Sequence, residues 1–232
     1  MTVFALGDSL YFPPPELARE DGLLAIGGDL SPERLLLAYQ MGIFPWYAEG
    51  DPILWWAPSP RLILRPAEFH LSRRLGRELK SGAFSFSADC AFREVITVCA
   101  TVRTGQGQAT WLNPEMIEAY CQLHELGFAH SLECWRDGAL AGGLYGIAIG
   151  GVFFGESMFS RVANSSKAAL AMLARQLSAW GFALIDCQMR TEHLLSLGAR
   201  EVPGPRFFSL LQEAILQPDR RGRWEIGPDW RE

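Results

Sequence analysis

Two apolar stretches of this chain carry polar residues where a buried strand should have none. In VFFGESMF (152–159), strand alternation puts Val152, Phe154, Glu156 and Met158 on one face. A carboxylate in that company has to be paired or has to change its protonation. In FALIDCQ (182–188), Asp186 and Gln188 share a face at the strand end, while Ile185 and Cys187 point the other way. A carboxylate and an amide two residues apart can orient an amine and take its proton. Two plainer readings stand beside these: Asp186 as a turn or cap residue, and Glu156 in an ion pair, with Arg161 as its partner. The histidines (His70, His124, His130, His193) lack ligand spacing, so no metal site is expected. There is no GxSxG or comparable nucleophile motif.

A second set of residues suits a polyanion. Residues 61–80 carry Arg61, Arg65, Arg73, Arg74, Arg77 and Lys80 against Glu68 and Glu78, a local net charge of +4. At helical spacing Arg73, Arg74, Arg77 and Lys80 gather on one side, opposite Leu71, Leu75 and Leu79. A solvated helix face is the commoner meaning of a charge run, but like charges at this spacing repel and phosphate would offset that. Phe44-Pro45-Trp46-Tyr47, Trp55-Trp56 and Trp111 supply rings on which an unpaired RNA base can stack. At least one of Trp55 and Trp56 is expected to fill a small core instead.

The chain that must position these groups has 232 residues, 49% apolar and 20% charged, with a net charge of −5. That excludes disorder and allows one large domain or two small ones. No apolar run approaches the ~18 residues of a membrane span, and MTVFALGDSLYFPPP has no basic leader, so no secretory signal is expected. The net acidity counts against a nucleic-acid partner only if charge is spread evenly, and it is not. The five cysteines (Cys90, Cys99, Cys121, Cys134, Cys187) have no paired spacing and read as reduced core residues.

Most prolines lie in residues 1–66, expected to form a small aromatic-rich domain. Its one clear helix is capped by Ser31, has Pro32 at its first position and ends by Gly42. A second, larger domain is expected over 67–232. There a helix fits 71–80, a strand fits 84–88, and Asp89 caps a helix to about Thr101. After the loop TVRTGQGQ, Asn113-Pro114 opens a helix ending at Gly127. Strands fit 130–136, 139–149 and 152–159, with turns at Asp137-Gly138 and Gly150-Gly151. A buried helix over 166–180, the strand to Gln188, a short helix to Gly198, an extended piece at 200–203 and a helix near 206–216 follow, then an irregular polar tail.

This order, α+β with a mixed, largely antiparallel sheet flanked by helices, resembles the GNAT acyltransferase fold, which makes acyl transfer to an amine the first chemistry to test. Such enzymes hold the acyl-CoA pyrophosphate on a glycine-rich turn. Here that turn reads Arg161-Val162-Ala163-Asn164-Ser165-Ser166, which disfavours CoA. One of Asn164, Ser165 and Ser166 is expected to cap the helix that follows.

The strings GLLAIGGDLSPERLLLAYQMGIFPWY, ILWWAPSPR, GESMFSRVANSSKAAL and LIDCQ resemble the leucyl/phenylalanyl-tRNA–protein transferase family over roughly residues 12–210. The resemblance implies movement of Leu or Phe (also Met) from aminoacyl-tRNA to proteins with N-terminal Arg or Lys, in the bacterial N-end rule pathway. It implies no cofactor and no membrane partner, a cytoplasmic location, and a monomer is expected. Trp46 and Trp111 would hold the 3′ adenosine. Leu144, Phe153, Met158, Leu170, Leu173 and Ile185 would line the amino-acid pocket, and Arg73, Arg74, Arg77 and Lys80 would meet the tRNA backbone. Asp186 and Gln188 match a catalytic pair and Glu156 an active-site carboxylate. On that basis Asp186 is expected to accept the proton, directly or through Gln188, with Gln188 positioning the amine and Glu156 holding the acceptor N-terminus.

Overall fold

The computed structural model describes residues 3–105 and 112–226, the side chains of 102–105 apart. Two sheets are built in succession. The first pairs β1 (Phe4–Leu6), parallel, with β2 (Leu23–Gly27). It continues, after α1 (Pro32–Gln40), with β3 (Phe44–Pro45) and β4 (Leu54–Trp56), in the order β1-β2-β4-β3. Ser31 caps α1 by accepting the Arg34 N–H, as its sequence signature predicts. Trp55 is fully buried in this unit and donates its indole N–H to the Gly27 carbonyl, so it is the core tryptophan of the pair.

The second sheet begins with β5 (Arg61–Leu64), inside the segment expected to form the small domain. It is followed by α2 (Arg73–Lys80), β6 (Ser85–Ala88), α3 (Phe92–Gly105), α4 (Pro114–Glu125), β7 (Ala129–Arg136), β8 (Ala139–Ile149) and β9 (Val152–Ser160). Then come α5 (Ser165–Ala179), β10 (Leu184–Gln188), α6 (Glu192–Ser196), β11 (Arg200–Val202) and α7 (Gly204–Ala214). The strand order is β11-β5-β10-β9-β8-β7-β6, with only β10 and β9 parallel. Asp137 and Gly138 both take positive φ, which makes the β7–β8 turn twist with its strands.

The sheet separates two apolar cores. On one side Val152, Phe154 and Leu184 pack with α1, α3, α4, α7 and the first sheet, so the N-terminal unit shares a core with the larger one. On the other, Leu144, Phe153 and Ile185 pack with α2, α5 and Trp224. Residues 168–174 of α5 are buried without a break, as its Ala/Leu composition predicts.

Several local expectations are corrected. Asp89 does not cap α3; its φ is +54° and its carboxylate turns inward, to His130 at 2.9 Å and the Ser131 and Trp224 N–H groups. The buried Glu133 instead accepts the Cys90 and Ala91 N–H groups ahead of α3. Asn164 occupies the N-cap position of α5, as expected of one of the three, but no side chain of Asn164, Ser165 or Ser166 makes a capping bond there. Asn164 donates to Glu78, Ser165 to the Ala141 and Val162 carbonyls, and it is Ser160 that accepts the Ser166 N–H. Cys99, Cys121 and Cys134 are core residues, but Cys90 is exposed and Cys187 half-buried.

Candidate active site

Two β-bulges on neighbouring strands assemble the site. In β9 the pairing with β8 steps from Gly146↔Gly155 to Tyr145↔Ser157, leaving Glu156 as the extra residue. In β10 the pairing with β5 steps from Asp186↔Ile63 to Gln188↔Leu62, leaving Cys187 over. A bulge re-aims side chains and breaks simple alternation. The face read for VFFGESMF is therefore split: Val152 and Phe154 enter one core, and Met158 packs against the other. Likewise Asp186 and Gln188 part company. The Gln188 backbone sits at φ +60°, an uncommon conformation for a side-chain-bearing residue, and its N–H is anchored on Asp186 Oδ1 at 2.9 Å.

Asp186 is fully buried. Arg61 grips it with two hydrogen bonds, Nε to Oδ1 at 2.9 Å and Nη2 to Oδ2 at 2.7 Å. The guanidinium is 1% exposed and lies against the rings of Phe44 and Phe207. Arg61 is thus no part of a phosphate-binding surface.

Glu156 is treated differently. No cation pairs with it among the described residues; Tyr39 donates at 2.8 Å, Tyr120 at 3.1 Å and the Gln188 amide at 2.8 Å. Burial pushes its carboxyl up to about 7, the three hydrogen bonds pull it down and the charge of Asp186 adds to the rise. The two tyrosine oxygens also meet each other at 2.5 Å. Tyr39, Tyr120 and Glu156 therefore form three oxygen–oxygen contacts, and two hydroxyls supply only two protons. With both hydroxyls turned to Glu156 the tyrosine–tyrosine contact has no proton of its own, and it is burial, not these bonds, that raises the carboxyl. Arg161, the partner considered for Glu156, lies instead 3.9 Å from Glu94.

Glu156 and Gln188 stand on the wall of a cavity of about 370 Å³. Leu144, Phe153, Met158, Leu170 and Ile185 line it, Trp46 is at its edge with 39% exposure, and Tyr145, Ser157, Cys187, Met189 and His193 complete much of the rest. Burial and the neighbouring Asp186 push the Cys187 thiol well up, which keeps it protonated and a poor nucleophile. Burial, then Lys167, pulls His193 down, so its ring is neutral near pH 7.

Residues 63–212 match the family model described as leucyl/phenylalanyl-tRNA protein transferase, and residues 28–59 match that family's N-terminal domain. The chain belongs to the leucyl/phenylalanyl-tRNA–protein transferase family. Relatives bearing that name include those of Desulfatibacillum aliphaticivorans, 56% identical over 97% of each chain, and Syntrophus aciditrophicus (strain SB), 53% identical over 99% of this chain and 96% of that one. Among solved structures, matches include a GCN5-related N-acetyltransferase from Kribbella flavida, with 14% identity, a TM-score of 0.37 and coverage of 73% of this chain and 60% of that one. L-PGS from Bacillus licheniformis is another, with 12% identity, a TM-score of 0.40 and coverage of 75% and 57%.

In this family member the structure brings some of the expected residues together and keeps others apart. Five of the six expected pocket residues line the cavity; Leu173, 2% exposed within α5, is core and is not on its wall. Glu156 and Gln188 meet there, whereas Asp186 is not on its wall and is joined to it by the Gln188 backbone N–H. Trp111 lies outside the described residues. Arg73, Arg74, Arg77 and Lys80 are all exposed, while Leu75 and Leu79 beneath them join the core that holds Leu144 and Leu170. The basic face and the cavity are therefore on the same side of the sheet. Sequence reasoning missed Tyr39, Tyr120 and the role of Arg61. An arginine opening the apolar run RLIL and an aspartate closing the apolar run LID were the available signal for the last.

Proposed function

We propose that this transferase moves Leu, Phe or Met from aminoacyl-tRNA to the α-amino group of proteins with N-terminal Arg or Lys. The observation that carries the reading is an apolar cavity with one proton-accepting carboxylate in its wall, in a chain of this family. We place the protein in the cytoplasm, acting as a monomer in the bacterial N-end rule pathway.

The aminoacyl ester is already activated, so the enzyme has to align two substrates, take a proton and support the oxyanion. The apolar cavity receives the donor side chain, and Trp46 at its edge offers a ring to the terminal adenosine. A base with a pKa of about 7 is well matched to an α-ammonium, whose usual value is about 8. Glu156 takes one ammonium proton, and the freed amine attacks the ester carbonyl. The C–N bond forms, the bond to the ribose oxygen breaks, and a second amine proton leaves with that oxygen. Gln188 spends its N–H on Glu156, and its amide oxygen can accept from the incoming amine. Asp186, ion-paired and not on the wall, is a positioning residue that fixes the Gln188 backbone. This reading moves to Glu156 the proton-accepting role expected of Asp186, and leaves Gln188 positioning the amine as expected.

The test offers labelled Leu-tRNA and, separately, labelled acetyl-CoA to a protein with N-terminal Arg. Transfer from Leu-tRNA alone is expected; transfer from acetyl-CoA, or tRNA binding without transfer, overturns the reading. For the basic face, Arg74→Ala with Arg77→Ala should weaken tRNA binding and reduce the slope of log affinity against log salt by up to about 2. Unchanged affinity at every salt concentration rejects that surface.

A further inference from the structure

The tail after α7, expected to be irregular, is strapped to the sheet by specific contacts. Asp219 accepts the Gly150 N–H at 2.8 Å, Arg220 lies 4.4 Å over Trp180, and Arg221 lies 4.3 Å over Phe128 while donating to the Leu126 carbonyl. The strap carries Trp224, only 3% exposed. Its backbone N–H is held by Asp89 at 2.7 Å, and its indole N–H by the Arg220 carbonyl at 2.9 Å. The ring stacks on His130 at 3.8 Å and 9°, with Trp180 edge-on at 4.9 Å.

Two further rings meet Trp224: Phe182 edge-on at 6.0 Å, and Phe153 at 6.0 Å and 41°. Phe153 lines the cavity. Its ring edge also lies on Gly146, where a Cβ would come within 2.6 Å of it. The bare backbone of Gly146 and a pinned indole are two of the surfaces against which Phe153 rests. We propose that Trp224 is a specificity-determining residue: by bracing Phe153 from behind, the C-terminal strap sets the depth of the cavity and so the choice between branched and aromatic donor side chains. This rests on the cavity being the donor pocket. Without the indole a ring-sized void opens behind Phe153, the cavity deepens, and the larger donor gains.

The experiment compares kcat/KM for Leu-tRNA and Phe-tRNA, with one N-terminal Arg acceptor, in the wild type, Trp224→Ala and Trp224→Phe. In Trp224→Ala the Phe-to-Leu ratio is expected to rise by about 3- to 10-fold, the scale on which small changes of apolar pocket volume discriminate. Trp224→Phe should return it to within about 2-fold, because a ring again backs Phe153. Equal loss on both donors, with the ratio unchanged, overturns the inference, because it is what a purely structural plug does. If Trp224→Ala does not fold, Trp224→Leu carries the test, with a shift of about 2-fold in the same direction expected and an unchanged ratio again overturning it. A wild type that transfers neither amino acid rejects the function itself, a separate result.

Discussion

Asp186 and Glu156 lie almost side by side on parallel strands, since Asp186 pairs with Phe154. Both are buried, yet they are built for opposite ends. Asp186 is closed off: a guanidinium takes both oxygens and a backbone N–H shares one of them. Glu156 has hydroxyls and an amide around it and faces a cavity. Burial alone does not make a carboxylate reactive. The charge of its partner decides whether it becomes a fixed strut or a group that trades a proton near neutral pH.

The largest effect is expected at the strut. Asp186→Ala leaves a buried arginine uncompensated and should cost about 3–5 kcal/mol of stability in urea unfolding. Arg61→Met with Asp186→Leu should recover most of that stability, because packed apolar pairs often replace buried ion pairs without loss. Transfer should stay depressed in the double variant, since the Gln188 N–H has lost its acceptor. An Asp186→Ala protein as stable as the wild type breaks the comparison.

Next comes Glu156→Gln, which should lower the transfer rate by roughly 100-fold or more while leaving the protein folded. Wild-type kcat/KM should rise with pH through about 7, and this rise should be absent in the variant. Stability has the opposite slope. The folded carboxyl sits at about 7, above its usual 4.5, so its contribution is present below the unfolded value and is lost as pH climbs through 7. Thermal melts from pH 5 to 8 should therefore show the wild type falling relative to Glu156→Gln. The smallest expected effect is at Tyr120→Phe. Removing a donor that favours the ionised form should raise the midpoint of the pH–rate profile by about one unit and cut the rate at pH 7 by about 5-fold. An unmoved midpoint means that the Tyr120 hydroxyl does not tune the Glu156 carboxyl.

The contrast between the two carboxylates also marks the limit of what could be read before folding. The helices at Pro32, Arg73 and Pro114 and the β7–β8 hairpin were legible because caps, periodicity and turn residues are local signals. Glu156, Asp186 and Gln188 stood out because apolar strands should not contain them. Their roles were not legible, because a bulge is a register event between strands and leaves no mark in either strand alone. Arg61 was counted with its basic neighbours for the same reason, as its partner is 125 residues away. Asp89 followed a strand and preceded a helix, the usual place of a cap, but His130 and Trp224 claimed it from other parts of the chain.

Arg61 is the first residue of β5, immediately beyond the four-stranded sheet whose last strand ends at Trp56. The joint between the two sheets therefore carries the counter-ion of the site. For a protein divided into co-expressed fragments, a cut between Trp56 and Arg61 keeps the guanidinium and its aspartate on one polypeptide. A cut at residue 66 consigns them to different ones. Reassembly after the later cut then depends on burying an ion pair across the break, and the fragment bearing Asp186 would meet solvent with an unneutralised core until its complement arrived.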